Sequence, residues 1–305
     1  MSLIFVFVDG LGLGRDDQCN PLFDTGYFVF SRLTGGQSFT KQVKKYRNRN
    51  LFFTPVDACM GVEGLPQSGT GQVTLFSGIN SAQKLGRHFG PYPHSSIRDY
   101  LGKDSIFQKF QREKGSCHFI NAFPNIFFEK ANKKNRWSCT TLMTRMAGYP
   151  LNSVSEVLAE KAITAEITQS AWKNRLSMDV PEITEAEAAD RVMEAAELHD
   201  LVLAEYYLTD KAGHNQDPDY AGEVLKKLDR FLIRIMDQIP ASGHTLLLTS
   251  DHGNIEDLST KSHTRNKVPF FVMGEGTEFF ESIKSIQEVT PLSLRWFQST
   301  SGQSR

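Results

Sequence analysis

The stretch Leu3-Ile4-Phe5-Val6-Phe7-Val8-Asp9-Gly10 decides the fold. An unbroken apolar run of this length, rich in β-branched and aromatic residues, reads as a strand buried on both faces, with a carboxylate at its carboxyl end. Comparable runs bounded by Gly, Pro, Asp and Ser recur at Leu51 to Val56, His118 to Phe123, Leu201 to Leu208, Thr245 to Thr249 and Val268 to Met273. Helical periodicity lies between several of them. After Pro218, residues Val224, Leu225, Leu228, Phe231, Leu232, Ile235 and Met236 fall on one stripe, with Lys226, Lys227, Asp229 and Arg234 elsewhere. Thr184 to Leu198 is a second helix, rich in Ala and Glu. Alternation of strands and helices predicts an α/β fold with a mostly parallel central sheet and helices on both faces.

One such domain is expected over residues 1–297, followed by a flexible tail at 298–305. Residues 86–176 are less regular, with a basic cluster at Lys133, Lys134 and Arg136, and read as a small insertion or cap. The basic run Lys41 to Arg49 reads as a solvated turn or strand edge.

The chain has 305 residues, 40% hydrophobic and 23% charged, with a formal net charge of -1. That is ample for a large core, and the charge balance gives no long-range attraction for a polyanion, so neither nucleic acid nor a membrane surface is an expected partner. Cys19, Cys59, Cys117 and Cys139 are scattered without a zinc pattern and read as free thiols in a reducing compartment. The apolar opening lacks a basic n-region and a small-residue cleavage site, and no apolar run approaches the roughly 20 residues of a membrane span, so the expected location is cytoplasmic. Nothing in the sequence decides the oligomeric state.

Ligands of open α/β sheets bind beyond the carboxyl ends of strands. There the sequence places Asp9, then Thr209-Asp210 with His214 four residues on, then Ser250-Asp251-His252-Gly253, and Ser262-His263 just before the Val268 run. Singly, such an Asp is a turn former or helix cap and such a His a packed residue. Together, carboxylates and imidazoles at neighbouring strand ends are the oxygen and nitrogen donors that suit divalent ions such as zinc or manganese. Gly64-Leu65-Pro66-Gln67-Ser68-Gly69-Thr70-Gly71-Gln72 adds a hydroxyl in a Gly-rich turn ahead of Val73 to Phe76. If a helix starts there, its N-terminus favours an anion, and Ser68 or Thr70 is positioned to attack phosphorus; the plainer alternative is a Ser/Thr cap. Gly10-Leu11-Gly12-Leu13-Gly14 also follows a strand, but spaces as GxGxG with Arg15 where a dinucleotide fingerprint has its third glycine.

This ordered set resembles the alkaline phosphatase superfamily, particularly the branch containing cofactor-independent phosphoglycerate mutase and phosphopentomutase. The resemblance rests on Asp9, Ser68 ten positions before Gly78, Asp210-x-x-x-His214, Asp251-His252-Gly253 and Ser262-His263-Thr264-Arg265-Asn266 leading into Val268-Pro269. It spans roughly residues 1–85 and 200–297. It implies two divalent metal ions, one on Asp210, His214 and His263, the other on Asp9, Asp251, His252 and the Ser68 oxygen. It also implies Ser68 as a nucleophile forming a phospho-enzyme, with Thr70 the alternative, and a small phosphorylated substrate.

Two departures bear on the reaction. Gly71-Gln72 stands where the mutase relatives carry Gly-His, and the middle segment is short for the second domain that shields the mutase intermediate from water. The expectation is therefore a two-metal phosphatase or related ester hydrolase. The alternatives are a phosphomutase on a small phosphorylated metabolite and a metal-binding protein without turnover. Arg87, His88 and Arg265 are the expected phosphate contacts, with Asn20 in the loop after Asp9 a further one.

Overall fold

The computed structural model describes residues 1–23 and 26–301. Nine strands are formed among them: β1 Leu3–Val8, β2 Tyr46–Asn48, β3 Leu51–Val56, β4 Cys117–Phe119, β5 Asn121–Ala122, β6 Ile163–Thr164, β7 Leu201–Tyr206, β8 Thr245–Thr249 and β9 Val268–Gly274. Seven make one sheet in the order β2-β3-β9-β8-β1-β7-β4, while β5 and β6 pair separately. The opening run is thus the central strand, parallel to β7 on one side and to β8 on the other.

The sheet is mixed. The β4-β7, β7-β1 and β1-β8 pairings are parallel, whereas β8-β9, β9-β3 and β3-β2 are antiparallel. The antiparallel edge has consequences at the site, because the beginning of β9 lies beside the carboxyl end of β8.

Side-chain alternation in β1 divides the core. Ile4, Val6 and Val8 pack with the helices Glu185–Leu198 and Pro218–Ser242, and Leu3, Phe5 and Phe7 pack on the other face with the helices Ser68–Ser77, Ile106–Arg112 and Val289–Ser301. Phe7 meets Phe76 edge-on at 5.3 Å, which ties the central strand to the Ser68 helix. Each fully buried residue of this size contributes on the order of 1.5–3 kcal/mol of transfer free energy. Two helices start where their caps say. Thr184 and Glu187 form a capping box, and Asp217 caps Asp219 and Tyr220 ahead of Pro218 at N1. Asp229 departs from the expected polar face of the long helix: it is buried and accepts the Val29 N–H at 2.7 Å, capping the helix Phe28–Thr34.

The run His118 to Phe123 splits, its first part going to β4 in the main sheet and its second to β5. The 86–176 stretch therefore contributes an edge strand, and Phe107, Phe110 and Met143 join the core. Residues 298–301 of the expected tail are helical instead. Helix Val289–Ser301 carries through, anchored by buried Leu292, Trp296 and Phe297, and residues 302–305 lie outside the described ones. No helix among the described residues is long and apolar enough to cross a membrane, and all four cysteines are free.

Candidate metal centre

The three central strands β8, β1 and β7 point the same way and end together. Asp9 follows β1, and Ser250-Asp251-His252 follows β8. Strand β7 stops at Tyr206, two residues earlier than its apolar run, and the chain turns into the short helix Leu208–Asn215. Asp210 and His214 are i and i+4 on that helix and so share a face. His263 arrives from the segment leading into antiparallel β9, pinned by the Thr264 N–H bonding to Gly253 O at 2.9 Å.

These side chains form two adjoining groups, Asp210-His214-His263 and Asp9-Asp251-His252, each with ligand atoms within 4.8 Å of one another. Rings of His252 and His263 stack at 3.8 Å and join the groups. In the first group, His214 Nδ1 lies 2.7 Å from Lys261 O and His263 Nδ1 2.7 Å from Pro66 O. A carbonyl only accepts, so in the neutral rings Nδ1 holds the proton and Nε2 keeps its lone pair. The two Nε2 atoms face each other at 3.2 Å, each 3.4 Å from an Asp210 oxygen. Lone pairs and a carboxylate converging in this way suit a cation. Asn254 Nδ2 fixes Asp210 by donating to its Oδ1 at 2.7 Å.

The second group is deeper. His252 Nε2 is 3.2 Å from Asp9 Oδ1 and 3.5 Å from Asp251 Oδ2. Asp9 Oδ1 and Asp251 Oδ2 are buried and accept no aligned hydrogen bond. Orphaned carboxylate oxygens cost free energy unless an ion or proton satisfies them, so both residues fit a divalent cation. Burial, then the charge of Asp251, pushes the Asp9 carboxyl up to about 7. Burial and the charge of Asp210 raise Asp251 as well. His252 rises to about 10, the neighbouring Asp251 and Asp9 charges overcoming burial. Burial acts to raise Asp210 too, but the neighbouring His263 and His252 rings and the hydrogen bond from Asn254 bring it below the usual carboxylate range. Glu205, bonded by Thr140 Oγ1 at 2.7 Å, is pushed up to about 7 by burial, with the Asp9 charge acting in the same direction.

A pH dependence follows for the chelated protein. Asp9 and Glu205 have folded values above their unfolded ones, so they increasingly destabilise the fold as pH rises from about 4 to 7. A raised His252 adds stability that is fully present below its unfolded value of about 6.5 and is lost as pH climbs towards its folded one. Both trends have one sign, so the unfolding midpoint in EDTA should fall between pH 5 and pH 9, while Zn or Mn should flatten the slope. A midpoint in EDTA that rises with pH would show that the carboxylates do not face one another uncompensated.

Ser68 is the first residue of the helix Ser68–Ser77, and its Oγ lies 3.0 Å from His252 Nε2. Two glycines allow this approach. A Cβ on Gly69 would sit 2.3 Å from Tyr92 O, and one on Gly71 would sit 2.9 Å from Asp251 O. Thr70 is directed elsewhere: its buried hydroxyl donates to Gln67 O at 3.2 Å and accepts from the Phe89 N–H at 3.1 Å, so it staples the helix start to the loop after Gly86. Gln72 donates to Asp9 Oδ2 at 3.1 Å.

The expected anion contacts divide. Arg265 donates to Gly64 O at 3.0 Å, and His88 Nε2 lies 3.3 Å from Val62 O, which brings both to the 62–66 loop that also supports His263. Arg87 is exposed, its guanidinium 5.9 Å from the Phe89 ring. Asn20 is buried and turned into its own loop: its amide donates to Arg15 O and accepts from the Leu22 N–H, both at 3.0 Å.

Sequence reasoning missed Glu256, which is 1% exposed. It accepts from Gly12 N at 3.0 Å, Asn254 N at 2.7 Å, Asn266 Nδ2 at 3.0 Å and the Thr264 hydroxyl. One carboxylate thereby joins the loops that carry Asp9, Asp251-His252 and His263. Gly12 is small because a Cβ there would lie 2.2 Å from Glu256 Oε1, which accounts for the GxGxG spacing without a dinucleotide. Every Glu256 partner is a donor, so Glu256→Gln places an amide N–H₂ against donors. The expected cost is about 2–3 kcal/mol in denaturant unfolding, with cation affinity weaker by roughly 10–100-fold. Unchanged stability would remove Glu256 from the scaffold.

Fold and site together define a metal-site protein with the alkaline phosphatase fold. The structure of alkaline phosphatase from the Antarctic bacterium TAB5 aligns over 97% of this chain and 98% of that one, at TM-score 0.59 and 15% identity. Leishmania mexicana phosphoglycerate mutase aligns over 97% and 95%, at TM-score 0.51 and 12% identity. The chain matches the Metalloenzyme superfamily over residues 1–299 and belongs to that family. Among curated relatives, the 2,3-bisphosphoglycerate-independent phosphoglycerate mutases of Nitrosococcus oceani and Desulforudis audaxviator are 28% identical over 123 residues and 30% over 122. Those matches span 37% of this chain and 24% of each relative.

Proposed function

We propose that the protein is a two-cation phosphoric-ester hydrolase that passes the phosphoryl group through Ser68. One divalent ion is held by Asp210, His214 and His263, the other by Asp9, Asp251, His252 and the Ser68 oxygen. The observation that carries this reading is the Ser68 hydroxyl at a helix N-terminus, 3.0 Å from His252 Nε2, beside two groups of orphaned or converging donors. Zn or Mn ions, when bound there, supply Lewis acidity that favours the alkoxide of Ser68 and the charge on the leaving oxygen. Ser68 Oγ gives up its proton and attacks phosphorus, and the ester oxygen departs and is protonated. Water then attacks the phosphoserine, releasing orthophosphate and restoring the hydroxyl.

Support for hydrolysis over mutation comes from Gln72. Its amide is committed to Asp9, where a Gly-His pair would offer an imidazole. The names of the curated relatives favour a phosphomutase as the second reading. Protein loaded with Zn or Mn and given phosphate monoesters should release orthophosphate. Conversion of 3-phosphoglycerate to its isomer without orthophosphate would establish the mutase instead, and stoichiometric cation uptake with neither product would leave a binding protein. The substrate is accordingly a small phosphorylated molecule, and the free thiols fit a cytoplasmic setting.

A further inference from the structure

A cavity of about 390 Å³ lies beside the Ser68 helix, within the roughly 300–1,000 Å³ of small-molecule sites. Its wall includes Phe89, Tyr92, His94, Arg98, Arg136 and Trp137, and no acidic residue. The loop Phe89–Pro93 belongs to both places. Its Phe89 carbonyl accepts the Thr70 N–H at 2.8 Å, Tyr92 O closes on Gly69, and a Cβ on Gly90 would lie 3.3 Å from Ser68 N. One wall of the cavity is therefore the backbone that clasps the first turn of the nucleophile helix.

Two features specify an occupant. Arg98 and Arg136 have no carboxylate within 4.0 Å among the described residues, and their guanidinium groups make no hydrogen bond there, so two exposed positive charges border the cavity without a counter-ion. Aromatic rings supply part of the remaining wall, beside Pro91, Pro93 and Leu142. Tyr92 is 42% exposed, Arg136 sits 6.0 Å from its ring centroid, and Trp137 is held beneath by Arg145 at 3.8 Å and by Phe127 edge-on at 5.9 Å. Aromatic faces beside free guanidinium groups recognise planar anions by stacking and bidentate hydrogen bonding. No acidic residue in the lining cancels this charge, so an ester with a cationic leaving group is disfavoured there.

Resting on the hydrolase reading of Ser68, we infer that this cavity is the leaving-group subsite, and that it takes phosphate esters whose leaving group is an aryl or heteroaryl ring bearing a second negative charge. The basic cluster around Arg136 divides accordingly. Lys133 and Lys134 end the helix Asn125–Lys134 and remain in solvent, while Arg136, just past it, turns to the cavity.

The test compares 4-carboxyphenyl phosphate with phenyl phosphate on the metal-loaded enzyme, and measures binding of 4-carboxyphenyl phosphate to the metal-loaded Ser68→Ala protein by calorimetry. Wild type should favour the carboxylated ester by tenfold or more in kcat/KM. Arg98→Ala and Arg136→Ala should each bring that ratio towards one, and in the Ser68→Ala background should weaken binding of the same ester at least fivefold. Lys133→Ala, a neighbouring cation outside the lining, should change neither ratio nor binding. Turnover of both esters with a ratio near one in wild type would overturn the subsite and leave the hydrolase standing. Arginine-dependent binding without hydrolysis would keep the subsite and end the hydrolase reading.

Discussion

Ser68→Ala is expected to lower kcat for phosphate-ester hydrolysis by roughly 10⁴-fold or more while the protein still takes up its cations. The size follows from its role: without Oγ no phosphoserine forms, and Thr70 cannot replace it because that hydroxyl is committed to Gln67 O and Phe89 N. Folding should barely notice, since the change deletes one hydroxyl and one contact to His252, worth about 1 kcal/mol. Elemental analysis and steady-state kinetics on one preparation separate the effects. Wild-type kcat with intact metal content would move the attack to water, and loss of metal with loss of turnover would make Ser68 chiefly a ligand.

Asp251→Asn should remove the cation of the deeper group and leave that on Asp210, His214 and His263. Asp251 is fully buried and its Oδ2 is unpartnered, so the amide offers a weaker donor just where a charge is needed. Ligands and their immediate supports commonly change metal affinity by about 10–100-fold, and a neutralised direct ligand belongs at or beyond the upper end. Turnover should fall with the cation. Unchanged metal content per chain would contradict the assignment of Asp251.

How much of this was legible in the sequence depends on range. The central strand was readable because six buried residues in a row admit few alternatives, and Asp9 and Asp251 were readable as the residues where such runs stop. Asp210 needed luck with the boundary. Its apolar run continues through Leu208, but the chain leaves the sheet after Tyr206, and what brings Asp210 and His214 together is a helical turn. His263 was legible only as a histidine just before the Val268 run. Its placement depends on β9 running against β8, and apolar runs carry no sign of direction.

The misses have a common cause. Asn20 and Thr70 carry polar groups that the sequence leaves open and local backbone consumes. Glu256 lies in a loop, without period or spacing, and its importance lies in four donors from three segments. The nearby small residues Gly12 and Gly253, both crowded by its Oε1, were the available signal, and they were more easily read as loop punctuation. Arg98 and Arg136 are distant in sequence and become a pair only when the irregular middle segment folds against the sheet.

The central claim is that two cations sit side by side at the ends of β1, β7 and β8, next to Ser68. Anomalous diffraction from crystals grown with Mn or Zn tests it most directly. The expected map has two peaks, one bounded by Asp210, His214 and His263 and one by Asp9, Asp251 and His252, both beside Ser68 Oγ. Well-ordered crystals with no anomalous density at these six side chains, or with the ion bound elsewhere, would contradict it.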